Sequence, residues 1–187
     1  MRCPTRGSAS PARRRKRMRS GAEPRRLFWA VALALLVGDA LTKRLAERLL
    51  LPIPPVSVAG DWVQLRLVYN QGAAFGIHLG PWSRWIFLLI AAGAILLLYR
   101  LSRSSPAGDL LRQLSCGLVA GGAAGNLVDR IRTAQGVVDF IDVGIGPHRW
   151  PTFNVADMGV SCGAIALAVS LWLEDARRAR REAASSA

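Results

Sequence analysis

Long apolar segments alternate with short polar ones along this chain, and their lengths predict membrane-spanning helices. A helix needs roughly 20 mostly apolar residues to cross the hydrocarbon core of a bilayer. Four segments reach that length once their ends are included. They cover about residues 27–50, 82–100, 110–131 and 155–174.

The third segment differs from the others because it is rich in glycine and alanine. Gly117, Gly121 and Gly125 recur at four-residue spacing, and Asp129 takes the next step. Residues four apart lie on one face of a helix, and small residues on that face let neighbouring helices approach closely. We therefore expect this segment to be the inner helix, shielded by the other three, with Asp129 near its outer end.

Two segments between the predicted helices alternate apolar and polar residues, which is typical of half-buried β-strands. One covers residues 63–70, and the other, VVDFIDV, covers 137–143 after Gly136. The predicted fold class is therefore an α-helical integral membrane protein. It has four transmembrane helices and a small extracytoplasmic β-sheet or cradle.

Charge gives the predicted bundle an orientation. The 187 residues carry a net charge of +13, and ten Lys or Arg residues fall within residues 1–26. Other arginines flank the loop at 100–113 and follow residue 176. Because Lys and Arg accumulate on the cytoplasmic side, we expect both tails, 1–26 and 176–187, in the cytoplasm. The four-span domain between them covers residues 27–175.

The basic tail at 1–26 allows other interpretations. It could bind nucleic acid or a specific lipid, or residues 27–37 could be the apolar core of a cleavable signal peptide. We favour a disordered tail that sets the orientation of the first helix. A cleavable signal peptide is disfavoured because the polar residues right after that apolar core belong to a motif described below. Cys116 and Cys162 lie inside apolar segments and are expected to be small packing residues. With Cys3 they predict neither a disulfide framework nor a metal site.

Polar side chains interrupt three predicted helices at one depth, near the outer interface. Ionisable groups inside a membrane are costly and by default indicate a functional site. Asp39 and Lys43 are four residues apart and can neutralise each other. The clusters are Asp39 with Lys43 in the first helix, Asn126 with Asp129 and Arg130 in the third, and Asp157 at the start of the fourth.

Residue types limit the chemistry that these clusters can perform. The two histidines, His78 and His148, lie in outer loops without metal-ligand spacing, and the chain has no HExxH or GxSxG motif. A Ser–His–Asp triad would depend on these isolated histidines. A Ser/Lys dyad would need Lys43 to be released from Asp39 and a serine at its depth.

Carboxylates are the remaining candidates. Two acids within hydrogen-bond reach share one proton, so the charged acid can activate water while the protonated acid polarises a carbonyl. A structural polar network whose acids cap helices, or the ion relay of a transporter, are the alternatives. The residues alone leave Asp129 and Asp139 nearly equal as partners for Asp157, although Asp129 has the nearby charge of Arg130 to pair with. Asp142 is predicted to be an exposed surface acid.

Five short motifs occur in order along the predicted spans and cover nearly the whole chain except its tails. They are DALTK at 39–43, NQGAAFG at 70–76, GNLVDR at 125–130, VVDF at 137–140 and FNVAD at 153–157. In these motifs the chain resembles the bacterial lipoprotein signal peptidases, or signal peptidase II, a family of aspartic proteases of the inner membrane.

The resemblance implies an aspartic endopeptidase that cuts diacylglyceryl-modified prolipoproteins just before the lipidated cysteine. It implies Asp139 and Asp157 as the catalytic pair, with no metal and no cofactor. It also implies supporting residues, with Asn70, Asn126, Arg130 and Asn154 holding the substrate backbone and Asp39, Lys43 and Asp129 bracing the site.

The expected partners are prolipoprotein substrates and membrane lipid, with no nucleic acid, and the expected state is a monomer. The chain departs from the family in two ways. Its basic N-terminal tail is longer than the family needs, and Met158 follows the second aspartate where a smaller residue is expected.

Overall fold

Four long helices and four short strands make up the computed structural model, which describes residues 23–51, 53–72, 80–106 and 108–186. The helices are α1 (Glu23–Leu49), α2 (Ser83–Ser104), α3 (Leu110–Arg132) and α4 (Val155–Ser185). The strands are β1 (Val56–Ala59), β2 (Val63–Asn70), β3 (Val137–Ile145) and β4 (His148–Arg149).

Part of the sequence-based prediction lies outside the described residues. This applies to most of the basic tail, including Cys3, to residues 73–76 of the NQGAAFG motif and to His78. At the other end, residues 176–185 of the predicted tail continue helix α4, which ends at Ser185.

Helix α3 lies at the centre of the bundle and packs against each of the other three helices. Its glycines make this possible. A Cβ atom on Gly117 would lie 2.8 Å from the carbonyl oxygen of Phe28, and one on Gly121 would lie 2.6 Å from that of Ala32. Backbones that approach this closely leave no room for larger side chains. The prediction that this helix is the inner one is confirmed.

Helices α1 and α4 present apolar side chains outward. On α1 an exposed stripe recurs at every fourth residue, formed by Trp29, Leu33, Val37, Leu41, Leu45 and Leu49. By length and hydropathy, two segments of the described chain could each cross a membrane, Gly80–Ser104 and Val155–Ser185. Helix α1 is less apolar because it carries charged residues, and α3 because it is rich in glycine and polar residues.

The predicted strands are confirmed as part of an antiparallel sheet with the order β1-β2-β3-β4. Strand β3 pairs with β2 so that Asp139 lies opposite Val68. On its other side, Ile141 exchanges two backbone hydrogen bonds with Phe153, of 2.8 and 3.0 Å. Since Phe153 lies just before α4, these bonds tie the sheet to the start of that helix.

Apolar side chains fasten the sheet to the end of α1. Phe140 on β3 is buried against Ala46 and Leu50, and Leu65 and Leu67 of β2 pack around them. A second cluster, nearer the start of α1, surrounds Phe28 and includes Cys116, which is buried as expected for a packing residue. Cys162, in contrast, is exposed on α4, so its assignment as a packing residue was wrong.

Candidate active site

Residues from separate polar segments meet where strand β3 lies against helices α1, α3 and α4. Asp39, Lys43, Asp139 and Asn154 are each at most 2% exposed. Burying charged or polar groups to this extent is costly unless each has a partner. The contacts of each side chain therefore show how the cluster is held together.

Asp139 projects from β3 and is held by two side-chain amides. Its Oδ1 accepts a 2.7 Å hydrogen bond from Nδ2 of Asn154. Its Oδ2 accepts a 3.0 Å hydrogen bond from Nδ2 of Asn70, the last residue of β2. Both carboxylate oxygens are thus fixed by neutral donors, and neither forms an ion pair with any residue that the structure describes.

Asp157 lies in the first turn of α4 and forms part of its N-terminal cap. The backbone N–H of Asp157 donates to Oδ1 of Asn154 at 2.9 Å, and the backbone N–H of Asn154 donates to Oδ2 of Asp157 at 3.2 Å. This reciprocal pair is a capping box, with an aspartate in the place usually taken by glutamate or glutamine. The other oxygen, Oδ1, accepts a 2.8 Å bond from Nδ2 of Asn126.

Asn154 therefore contacts both carboxylates. Its Nδ2 donates to Asp139, while its backbone N–H and Oδ1 bond to Asp157. The same Nδ2 lies 3.1 Å from Oδ1 of Asn126. Asp139 and Asp157 therefore lie on either side of one buried residue, Asn154.

Lys43 is the central charged residue of the cluster beside Asp139 and Asp157. Its Nζ lies 2.7 Å from Asp39 and 2.9 Å from Asp129, and it also donates to Oδ1 of Asn126 at 2.9 Å. Asp39 in turn accepts a 2.9 Å bond from the backbone N–H of Ala156 in the first turn of α4. The Lys43 ammonium thus joins α1 to α3, and the Asp39 carboxylate extends the network to α4.

Asp129 has a different partner from the one that its neighbours in the sequence suggest. We expected it to pair with Arg130, but it pairs with Lys43, and its Oδ2 also accepts from the backbone N–H of Val138 at 3.3 Å. Adjacent residues on a helix do not face each other, so the Arg130 guanidinium points elsewhere.

Arg130 reaches toward the end of β2. It donates to the backbone oxygen of Gly72 at 2.9 Å, and its guanidinium lies 5.5 Å from the centre of the Phe87 ring. Arg84 holds the same helix end, with Nε 2.6 Å from the carbonyl oxygen of Arg130 and Nη2 3.1 Å from that of Ile131. Arg84 was not predicted as a site residue, since one arginine at the start of an apolar helix is typical of a membrane boundary.

The prediction for Asp142 was wrong. We expected an exposed acid, but it is 1% exposed and paired with two arginines. Nε of Arg149 lies 3.0 Å from its Oδ1, and Nη1 of Arg66 lies 3.5 Å from its Oδ2. The pairing of β4 with β3 brings Arg149 there, and this pairing is not visible in the sequence.

Burial raises the pKa of Asp139 to about 7. This value is a net result, because the negative charge of Asp157 also raises the pKa while the hydrogen bonds from Asn70 and Asn154 and the charge of Lys43 lower it. A carboxyl group with such a pKa holds its proton up to about neutral pH. The site therefore contains one acid that can donate a proton beside a second carboxylate that can accept one.

Met158, which follows Asp157, does not belong to the buried cluster. Met158 is 49% exposed, so its side chain points away from the packed face of α4. Within the described part of the chain, no three His, Cys, Asp or Glu side chains are grouped so that they could hold a metal ion.

Comparison with known proteins gives a consistent result. The family model described as signal peptidase (SPase) II matches residues 31–173. The chain is 45% identical to the lipoprotein signal peptidase of Rhodococcus jostii, over 78% of this chain and 72% of that protein. It is 36% identical to the one from Oleidesulfovibrio alaskensis, over 78% of this chain and 94% of the relative.

A solved structure is also similar. It is described as a bacterial membrane enzyme determined by the in meso method, and it matches with a TM-score of 0.70 and 28% identity. The match covers 79% of this chain and 88% of the solved one.

Proposed function

The chain belongs to the signal peptidase II family, and from this premise we propose that Asp139 and Asp157 are the catalytic pair with which it removes signal peptides from prolipoproteins. The observation that carries the assignment is the contact of one buried residue, Asn154, with both carboxylates. Its side-chain amide donates to Asp139 and its backbone N–H donates to Asp157. This shared contact supports a pairing of the two acids, and burial raises the pKa of Asp139 to about 7.

The geometry supports a general acid–base mechanism. Asp157, as a carboxylate, takes a proton from a water molecule, whose oxygen attacks the carbonyl carbon of the scissile peptide bond. Asp139, in its protonated form, donates a hydrogen bond to the carbonyl oxygen and stabilises the charge that develops there. Transfer of a proton to the leaving nitrogen then breaks the C–N bond.

Neighbouring residues would hold the substrate in this mechanism. Asn70 and Arg130 flank the pair at the end of β2, where an extended peptide can receive hydrogen bonds from their side chains. Asn126 orients Asp157, while Asp39, Lys43 and Asp129 hold the start of α4 in place. We assign the diacylglyceryl group of the substrate to the lipid beside the helices.

Four membrane spans, with both termini in the cytoplasm of a bacterial inner membrane, complete the proposal. The exposed apolar stripe on α1 supports it, since a continuous apolar surface of this length is rare on proteins in water. The Arg and Lys excess near the predicted cytoplasmic ends supports the orientation. Under this topology the catalytic pair lies near the outer face of the membrane, and the enzyme acts as a monomer.

A direct assay tests the activity. The purified full chain is incubated with a diacylglyceryl-modified prolipoprotein, and the product is examined by gel electrophoresis and mass spectrometry. We expect a shortened lipoprotein that begins with the lipidated cysteine. An uncut substrate, or cleavage at another bond, would contradict the proposed function.

The topology needs its own test. A reporter that is active only in the periplasm is fused after residue 187, and in a second fusion it is inserted between Gly146 and Pro147, in the turn that joins β3 to β4. We expect activity from the loop fusion alone. Periplasmic activity from the C-terminal fusion would refute the four-span orientation without touching the catalytic assignment.

A further inference from the structure

The end of α2 that lies far from the catalytic pair carries an open groove on its surface, called the pocket below. It has a volume of about 560 Å³ and is lined by Leu96, Tyr99, Arg100, Arg103 and Ser104. Arg84, at the other end of the same helix, contacts α3 beside the catalytic site. The 19 residues from Arg84 to Arg103 span about 28 Å of helix, close to the thickness of the hydrocarbon core.

The pocket combines positive charge with hydrogen-bond donors. Arg100 and Arg103 lie three residues apart on one face of the helix and supply these donors. The hydroxyl of Ser104 beside them already donates to the carbonyl oxygen of Leu101 at 3.0 Å. No Asp or Glu lines the pocket. Within the described residues, the Arg100 guanidinium has no hydrogen-bond or ion-pair partner, so its donors are available to a ligand.

Aromatic rings form the neighbouring wall. The guanidinium of Arg103 lies 5.9 Å from the centre of the Tyr99 ring, which holds this charge over the pocket. The Tyr99 ring is in turn 5.7 Å from that of Trp29 on α1, which is 57% exposed. Tryptophan and tyrosine accumulate where lipid headgroups meet the hydrocarbon core.

Apolar surface continues from the pocket toward the middle of α2. Leu96 lies on the same helical face as Arg103, about 10 Å deeper along the axis, and it is 52% exposed. A phosphate bound at the arginines would therefore have its acyl chains beside exposed leucine side chains. A small soluble anion would use only the upper half of this arrangement.

We propose that this pocket binds an anionic phospholipid, with the phosphate on Arg100 and Arg103 and an acyl chain along Leu96. Arginine donors match phosphate oxygens in geometry as well as charge. Basic pockets at the cytoplasmic ends of membrane helices are suited to such headgroups. The site lies in the leaflet opposite the catalytic pair, so lipid there is distinct from the lipidated substrate.

Native mass spectrometry of the detergent-purified full chain tests the proposal. The protein is titrated with dioleoyl phosphatidylglycerol and, separately, with dioleoyl phosphatidylcholine. We expect one phosphatidylglycerol to bind more tightly than phosphatidylcholine. In the double variant Arg100→Gln, Arg103→Gln, that affinity should fall roughly thirtyfold, since each arginine near an anionic headgroup contributes about one factor of five.

A matched control removes the same charge elsewhere. Arg180→Gln, Arg181→Gln changes two exposed arginines in the last turns of α4 and should leave lipid affinity unchanged. Equal binding of the two lipids by the unaltered chain, or equal loss in both double variants, would overturn the site. Displacement of the lipid by millimolar glycerol 3-phosphate would show a phosphate site that does not require the acyl chain, which would also overturn it.

Prolipoprotein cleavage is measured in parallel on the same samples. Both double variants should cleave in detergent at the rate of the unaltered chain, because neither touches the catalytic region. If phosphatidylglycerol binds as expected but no sample cleaves the prolipoprotein, the result counts against the proposed function and not against the lipid site.

Discussion

The side-chain amide of Asn154 lies 2.7 Å from the carboxylate of Asp139. The same residue begins helix α4, because its Oδ1 accepts the backbone N–H of Asp157. The contact that orients one acid is therefore made by the residue that starts the helix carrying the other acid. Stability of the helix start and geometry of the site are coupled through this asparagine.

Loss of either proposed catalytic acid should abolish cleavage. Asp139→Asn and Asp157→Asn keep the size of the side chain but remove the group that carries or accepts the proton. We expect the cleavage rate to fall by about 10³-fold or more. The control Asp61→Asn changes an exposed acid at the turn between β1 and β2 and should cleave normally. Cleavage by either catalytic variant at a rate close to that of the control would refute the pair.

Two substitutions of Asn154 should separate its two roles. Asn154→Ser keeps an oxygen that can cap α4 but lacks the amide that donates to Asp139, so we expect near-normal thermal stability and strongly reduced cleavage. Asn154→Ala lacks both and should lose in addition about 1 kcal/mol of stability from the missing cap. Thermal unfolding and initial cleavage rates measure the two effects. Full activity in the serine variant would show that the amide contact with Asp139 is dispensable.

The raised pKa of Asp139 predicts a pH dependence. Because the folded state holds this proton up to about pH 7 while an unfolded aspartate releases it near pH 4, the stability from this group is full below about pH 4 and declines toward pH 7. Asp139→Asn removes that decline. Its Tm should exceed that of the unaltered chain by more at pH 8 than at pH 5. An equal difference at both values would contradict the raised pKa.

Removal of the Lys43 ammonium should destabilise the bundle. Lys43→Met leaves the buried carboxylates of Asp39 and Asp129 without their shared cation, which costs roughly 3–5 kcal/mol. The exposed neighbour Arg44 provides the control Arg44→Met, which should unfold at an unchanged temperature. Adding Asp39→Asn to Lys43→Met should recover part of the loss, since one uncompensated charge is removed. No recovery would show that the lysine acts by packing alone.

Close packing around α3 predicts a contrast between two glycines. A Cβ atom on Gly122 would collide with the carbonyl oxygen of Ala156, so Gly122→Ala should push α4 away and reduce both Tm and cleavage. Gly93 in α2 has nothing within 4 Å of an added Cβ, so Gly93→Ala should be neutral or slightly stabilising. The same Tm for both variants would mean that α4 does not need this close approach.

Local patterns in the sequence were sufficient for the helices, the strands β2 and β3, and the inner position of α3. These features depend on periodicity, which is written in neighbouring residues. The polar clusters were also recognisable, because charged groups stand out in apolar helices. The choice of Asp139 over Asp129 came from the family resemblance, since both acids follow the same apolar segment.

Contacts between distant segments could not be predicted in the same way. Asp142 is buried because β4 turns back onto β3 and brings Arg149 with it. Asp129 pairs with Lys43, which lies 86 residues earlier in the chain. Arg84 contributes through carbonyl groups of α3, and a backbone acceptor leaves no mark in the sequence.

The division of the two acids between a strand and a helix has a consequence for biosynthesis. Asp139 leaves the ribosome before Asp157, and its carboxylate is held by Asn70, which is made much earlier, and by Asn154, which is made later. A nascent chain that ends before α4 thus contains one acid and only half of its support. Under the proposed catalytic assignment, proteolytic activity arises only after the last helix has been made, so an incomplete chain would not cleave other membrane proteins.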